Sequence, residues 1–326
     1  MIAQNQLVKA LAVIFVFTAL FSYFLLWTTE KMDADHGRHY AKAAFDCEWE
    51  GKMYGSTQQE CKEYMPLFHW LAKPFTATPR LFNQFVAILI LVITPLILIY
   101  ISREWISAWL FISTSHYLYY FIDGAYPQAL ANIFAIAILI EKDWKWDILL
   151  VLLAMLSHSH GYILALIVLS AKYLNKTNLK YIFLSCSGVF GAEGGPKILE
   201  TSIENITGIK MTNTGNPLQF RDPLQFITRT FPLPFLYWSI KKAWKEDRLD
   251  LIMIAAVGII GGLFASSRIF YIVPLALIPA LSWWYKDLDY TQKKWFILLT
   301  IANGLWLLWT FINLKQICHG FQILPF

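Results

Sequence analysis

The sequence predicts an all-α polytopic membrane protein with about ten or eleven transmembrane helices and a large first exoplasmic loop. Three observations carry this. The 326 residues are 57% hydrophobic and 15% charged, with 14 Trp, 16 Tyr and 24 Phe, against about 45–50% apolar and about 25% charged in ordinary globular domains. Apolar runs such as Phe85–Tyr100 and Phe296–Leu314 are longer than a soluble core needs. Those runs are continuous rather than alternating, which disfavours a transmembrane barrel. A soluble enzyme, a disordered chain and a collagen-like chain are excluded, and residues 1–326 read as one integral membrane domain.

Taken in order, apolar stretches of roughly 17–25 residues mark the spans. The first, about 7–28, has an apolar part too long for a signal-peptide core and is expected to be an uncleaved span. Further spans are expected at about 83–102, 105–121, 126–140, 250–266, 268–284 and 294–314. Three regions are harder to read. Trp146–Tyr173 is broken by Ser157-His158-Ser159-His160-Gly161, Tyr181–Val189 is short, and Leu224–Ile240 carries Pro232 and Pro234. The broken stretch is either a hairpin of two short helices with the His pair at its outer tip or a single crossing. In the second case a re-entrant Tyr181–Val189 restores the same downstream topology. Two long polar segments, about 29–83 and 193–223, interrupt the pattern.

The net charge of +5, from 27 Lys+Arg against 22 Asp+Glu, is a topology signal rather than a nucleic-acid one. With the N-terminus cytoplasmic, short inner turns collect Arg103, Lys145, Lys241, Lys242, Lys286 and Lys293 among others. Both long loops then lie outside, and all 7 His fall in outer loops or outer halves of spans. The working face is expected to be exoplasmic, either extracellular or an endomembrane lumen.

Chemistry concentrates in the first outer loop. Directly after the first span come Asp33 and Asp35, then His36 and His39. If Asp35 lies in the first turn of a helix, His39 shares its face, and Asp33 sits near His36. Two carboxylates at a membrane boundary can act as a general base, hold a divalent cation, or simply cap a helix beside a solvated loop. No cofactor is firmly implied. Cys47 and Cys61 in the same loop can pair in an oxidising compartment, a closure that stabilises by about 3 kcal/mol in the chain-entropy model.

The order of motifs then becomes informative: an Asp-x-Asp after the first span, an amphipathic segment, a Gly-x-x-Tyr turn at Gly51-Lys52-Met53-Tyr54, and Tyr64-Met65-Pro66-Leu67. It resembles the GT-C superfamily of membrane glycosyltransferases, and looks closest to the GPI mannosyltransferase I type, which has Thr where this chain has Met65. The resemblance implies a GT-C-like fold and a polyprenyl-phosphate sugar as donor, with a lipid, glycan or protein acceptor. It places Asp33 and Asp35 in the catalytic acidic role and Tyr64 within a substrate-binding segment.

Other constellations are readable without it. His158 and His160 can bind metal, bind phosphate when protonated, or shuttle protons, or form no more than a polar turn. Asp123 follows the aromatic run His116–Phe121, which suits an interfacial belt or a platform for a pyranose ring. Arg268, at the outer start of an apolar span, offers a forked donor set suited to a lipid phosphate or can anchor to headgroups. Arg221 is a weaker version of the same idea. Two competing classes stand beside the glycosyltransferase: a non-enzymatic transporter or lipid-binding membrane protein, and a His/Asp metal-dependent membrane hydrolase.

Overall fold

The computed structural model describes residues 4–31, 67, 70–71, 73–75, 79–114, 126–140, 143–158, 161–173, 231–264 and 267–319. Within them the chain forms ten α-helices and two 3-10 segments, with no strand. The helices are α1 Gln4–Lys31, α2 Pro79–Ser102, α3 Ile106–Thr114, α4 Tyr126–Ala137, α5 Trp144–Ser157, α6 Gly161–Lys172, α7 Leu233–Lys245, α8 Leu249–Phe264, α9 Ile272–Asp287 and α10 Tyr290–His319. The 3-10 segments are Lys73–Phe75 and Ser267–Tyr271, the second leading directly into α9. The expected all-α polytopic membrane class is what the molecule shows, and each of the seven clear spans has a helix.

The bundle is organised around α9. Every residue from Ile272 to Ser282 is buried, and the helix packs against α2, α3, α4, α7 and α8. Together with the end of its 3-10 lead-in, the stretch Ile269–Asp287 is long and apolar enough to cross a bilayer. Helices at the periphery do the opposite. Phe15 on α1 and Leu305 and Trp309 on α10 are 75%, 63% and 64% exposed, a distribution that hydrocarbon tolerates and water does not.

Turns and caps follow from local chemistry. Asp143 is the N-cap of α5, with extended backbone and its carboxylate accepting from the Lys145 N–H at 3.0 Å. Pro232 and Pro234 fall at the cap and first turn of α7 rather than within it. The missing N–H costs nothing there, because first-turn donors have no intrahelical partner. The chain reverses after α2 through Arg103, which adopts a left-handed φ of 63°.

Four turns and the start of α1 gather at one end of the bundle. Gln6 near the start of α1 accepts from the Trp105 N–H in the α2–α3 turn at 3.3 Å. Lys286 reaches back to Glu104 in that turn at 2.8 Å, and Trp283 donates to the Ser102 carbonyl at 2.8 Å. Lys242 pairs with Asp287 and Glu246, tying the end of α7 to the end of α9. Arg248 forks onto Asp250 at the start of α8, at 2.7–3.2 Å. Leu139, following α4, packs on Ala243, Leu251 and Ala280 in the same layer. Aromatic rings ring this end and take cations on their faces, with Arg103 4.1 Å over Tyr100 and Lys294 4.4 Å over Tyr290. The combination is an interfacial belt of aromatic and basic side chains.

Candidate functional site: a short helical hairpin inside the bundle

The stretch broken by Ser157-His158-Ser159-His160-Gly161 is a hairpin, α5 and α6, the first of the two arrangements expected for it. Its open end is at the ion-paired end of the bundle. There Lys172 donates to both oxygens of Asp147, at 2.6 and 2.7 Å, and the Tyr173 hydroxyl donates to Oδ2 at 2.7 Å. That bond, with burial and the Asp147 charge, holds the Tyr173 phenol above its ordinary value.

The tip does not reach the far surface. With 14 and 12 residues, the two helices rise about 21 and about 18 Å, against about 30 Å of hydrocarbon. The tip therefore ends inside. Ser157 is fully buried and His158 is 2% exposed, not at the outer surface where the sequence put them. Close packing sets that depth. A Cβ on Gly161 would stand 1.8 Å from the Ala154 carbonyl oxygen and 3.2 Å from the Ala131 side chain, so the tip lies against the middle of α4 and only glycine allows it. Two backbone bonds close the turn: His158 N–H to Ala154 at 3.3 Å, and Gly161 N–H to His158 at 2.7 Å.

Polar side chains are buried on α4 and α6 near this tip and on α2, which packs against α4. Gln128 and Asn132 sit one turn apart on α4, and Tyr162 follows Gly161 on α6; all three are buried. Thr94 is fully buried on α2, which packs against α4. Ionisable and polar groups held inside a membrane bundle are functional-site candidates by default, because hydrocarbon penalises them. Of this set sequence reasoning selected only His158. The readable signal for the rest was Asn132, a lone amide within the apolar run Ala129–Ile140.

The other expected site residues are distributed as follows. Arg268 has its backbone in the 3-10 segment before α9, in the half of the bundle opposite the ion-paired end, where the hairpin tip also points. Asp33, Asp35, His36, His39, Cys47, Cys61, Tyr64, Asp123, His160 and Arg221 lie outside the described residues. Among the described residues no three His, Cys, Asp or Glu side chains converge as metal ligands.

Fold and site together define a polytopic helical membrane protein in which one end is cross-linked by ion pairs and the opposite half holds buried polar chemistry. The chain belongs to the EpsG family, whose sequence model matches residues 64–326. This is a membrane glycosyltransferase-like family associated with glycosyltransferase or polymerase activity. Its membership supports the superfamily resemblance and lipid-linked sugar substrates in the bilayer, but not the GPI mannosyltransferase I type. The match begins at Tyr64, beyond Asp33 and Asp35. No curated protein and no solved structure matches the chain.

Proposed function

We propose that the protein is an inverting glycosyltransferase that moves a hexose, with mannose the first to test, from a polyprenyl-phosphate donor to an exoplasmic lipid, glycan or protein acceptor. The observation that carries this reading is the division of the bundle. Lys242, Lys286, Arg248 and Lys172 are each paired with a carboxylate in the layer of short turns. The opposite half holds His158, Asn132 and the Arg268 segment without any such lattice among the described residues. Short basic turns belong on the cytoplasmic side, so the chemical half faces the exoplasm and the N-terminus lies inside.

In this mechanism Asp35 or Asp33 takes the proton of the acceptor hydroxyl as its oxygen attacks the anomeric carbon. The bond from that carbon to the donor phosphate breaks, the configuration inverts, and polyprenyl phosphate leaves with the bonding pair. Arg268, with Arg221 as a second cation, neutralises the developing phosphate charge. His36, His39, Tyr64, Asp123, His158 and His160 line the substrate path, and Cys47 paired with Cys61 braces the first loop.

The test is transfer from a labelled polyprenyl-phosphate sugar pool, comparing wild type with Asp35→Asn at matched membrane expression. Transfer is expected to fall by about a hundredfold or more. Unchanged transfer would move the base to Asp33 or elsewhere. A transporter is the second reading, favoured by one observation: a short hairpin with a buried ionisable tip is a feature of substrate pathways. Absence of transfer by wild type from every donor sugar, with a broad acceptor pool, would select it.

A further inference from the structure

Most buried hydroxyls among the described residues are accounted for, although Thr18 Oγ1, like Thr94 Oγ1 below, makes no hydrogen bond. Thr114, Ser157, Ser239 and Ser282 each donate to the carbonyl four residues back, at 2.6–2.8 Å. Ser107 bonds both Ser102 and Ser282, at 2.7 and 2.6 Å. One amide is treated alike, for Asn303 on α10 donates to the Ser113 carbonyl at 2.8 Å. Asn132 departs from this. It is fully buried on α4, and neither its Nδ2 nor its Oδ1 makes a hydrogen bond. Thr94, also fully buried on the packed neighbour α2, does not use its Oγ1 either. Leaving such groups desolvated and unbonded opposes folding, and a protein retains them where something else satisfies them.

Both residues face the shared core. Thr94 continues the stripe Ile90–Thr94–Leu98 on α2, and Asn132 the stripe Gln128–Asn132–Ile136 on α4; Ile90, Leu98 and Ile136 belong to one cluster. Asn132 lies six residues into α4, about 9 Å below its first residue. That end of α4 is remote from the ion-paired turns, in the half that also contains the hairpin tip.

From this we propose that Asn132, with Thr94 on the neighbouring helix, is a subsite for the hydroxyl groups of the donor sugar. The inference rests on the glycosyltransferase reading and deepens it. The chemistry selects the ligand. An amide presents two donors and an acceptor, and a threonine hydroxyl presents one donor and accepts, which suits a neutral polyol whose hydroxyls do both. A phosphate would call for cations and a hard metal for carboxylates, and these two side chains supply neither. Gln128 extends the polar face one turn toward the end from which a sugar enters.

The experiment uses the full chain in lipid nanodiscs, with tritiated polyprenyl-phosphate mannose and polyprenyl-phosphate glucose as donors, each also in its singly deoxygenated forms. Asn132→Leu and Thr94→Val are compared with wild type for donor KM, kcat and thermal unfolding. Asn132→Leu is expected to unfold at the wild-type temperature or above, because it removes an unsatisfied group, while donor KM rises on the order of tenfold. Thr94→Val is expected to shift KM in the same direction by less. One deoxy donor should be poorer than the parent sugar for wild type, and Asn132→Leu should use that deoxy donor no worse than wild type does. If wild type transfers sugar and both variants keep its KM, the subsite is wrong and the glycosyltransferase reading stands. A lowered unfolding temperature in Asn132→Leu, with no selectivity among deoxy donors, would mark a structural amide and also overturn it. No transfer by wild type from these or any other polyprenyl-phosphate hexose, with a broad acceptor pool, would overturn the glycosyltransferase reading and the subsite with it.

Discussion

At Asp147 a carboxylate is held inside the apolar hairpin by three hydrogen bonds from two donors, Lys172 and Tyr173. Its side chain is 2% exposed and that of Lys172 15%, so the pair is shielded from water and removing one partner strands the other. Lys172→Met is expected to destabilise the protein by about 3 kcal/mol, the scale for an uncompensated buried charge. Adding Asp147→Leu to it should recover part of that loss. Thermal unfolding of the single and double variants in one detergent checks both statements, and a double variant no better than the single would contradict them. The residues of the polar interior differ in how they could be read. Asp147 and Lys172 were visible as charges flanking an apolar run. Asn132 was visible only as one amide among aliphatics, and nothing local to its sequence says whether a partner meets it.

Among elements, the α5–α6 hairpin was the most ambiguous in sequence and is the most informative in structure. Periodicity could not separate two half-length helices from one crossing, because both are apolar throughout. The decision comes from Gly161, whose missing Cβ lets the Ala154 carbonyl and Ala131 approach it. Gly161→Ala would force a methyl into a backbone oxygen 1.8 Å away. It is expected to cost about 4 kcal/mol or more and to abolish activity by displacing His158. Unfolding temperature and proteolysis of the purified variant test this; a variant of wild-type stability would show that the turn is not set by this contact. The start of α7 is a second case of position mattering more than composition. Its prolines looked like interruptions of a span and instead begin a helix.

For the molecule as a whole, the prediction is sidedness. Trp244 and Lys293 lie at the ion-paired end, and Trp244 is 70% exposed. In a background lacking Cys47, Cys61, Cys186 and Cys318, cysteine placed at either position is expected to react with a membrane-impermeant maleimide from the cytoplasmic side only. Labelling from the outside would invert the proposed orientation and move the proposed catalytic loop to the cytoplasm. Aromatic packing contributes to this end of the bundle as well, since Trp238 stacks on Trp284 with centroids 4.3 Å apart and Phe296 meets both Phe235 and Trp284 edge-on. These contacts join α7, α9 and α10 across long sequence separations.

What the sequence by itself determined is the class: helical and membrane-spanning, with short turns rich in basic residues. Hydrophobic run length and charge distribution are properties of consecutive residues, and the bilayer acts on them directly. The order Asp33, Asp35, Tyr64 was legible in the same way, and the superfamily it suggests agrees with the family matched over residues 64–326. The tertiary structure alone decided that α9 is the central helix, that the hairpin tip stops inside the bundle with His158 buried, and that Asn132 and Thr94 are left without bonds. Each of these depends on which helices meet and at what depth. Such contacts join residues far apart in the chain, and no window of neighbouring residues contains them.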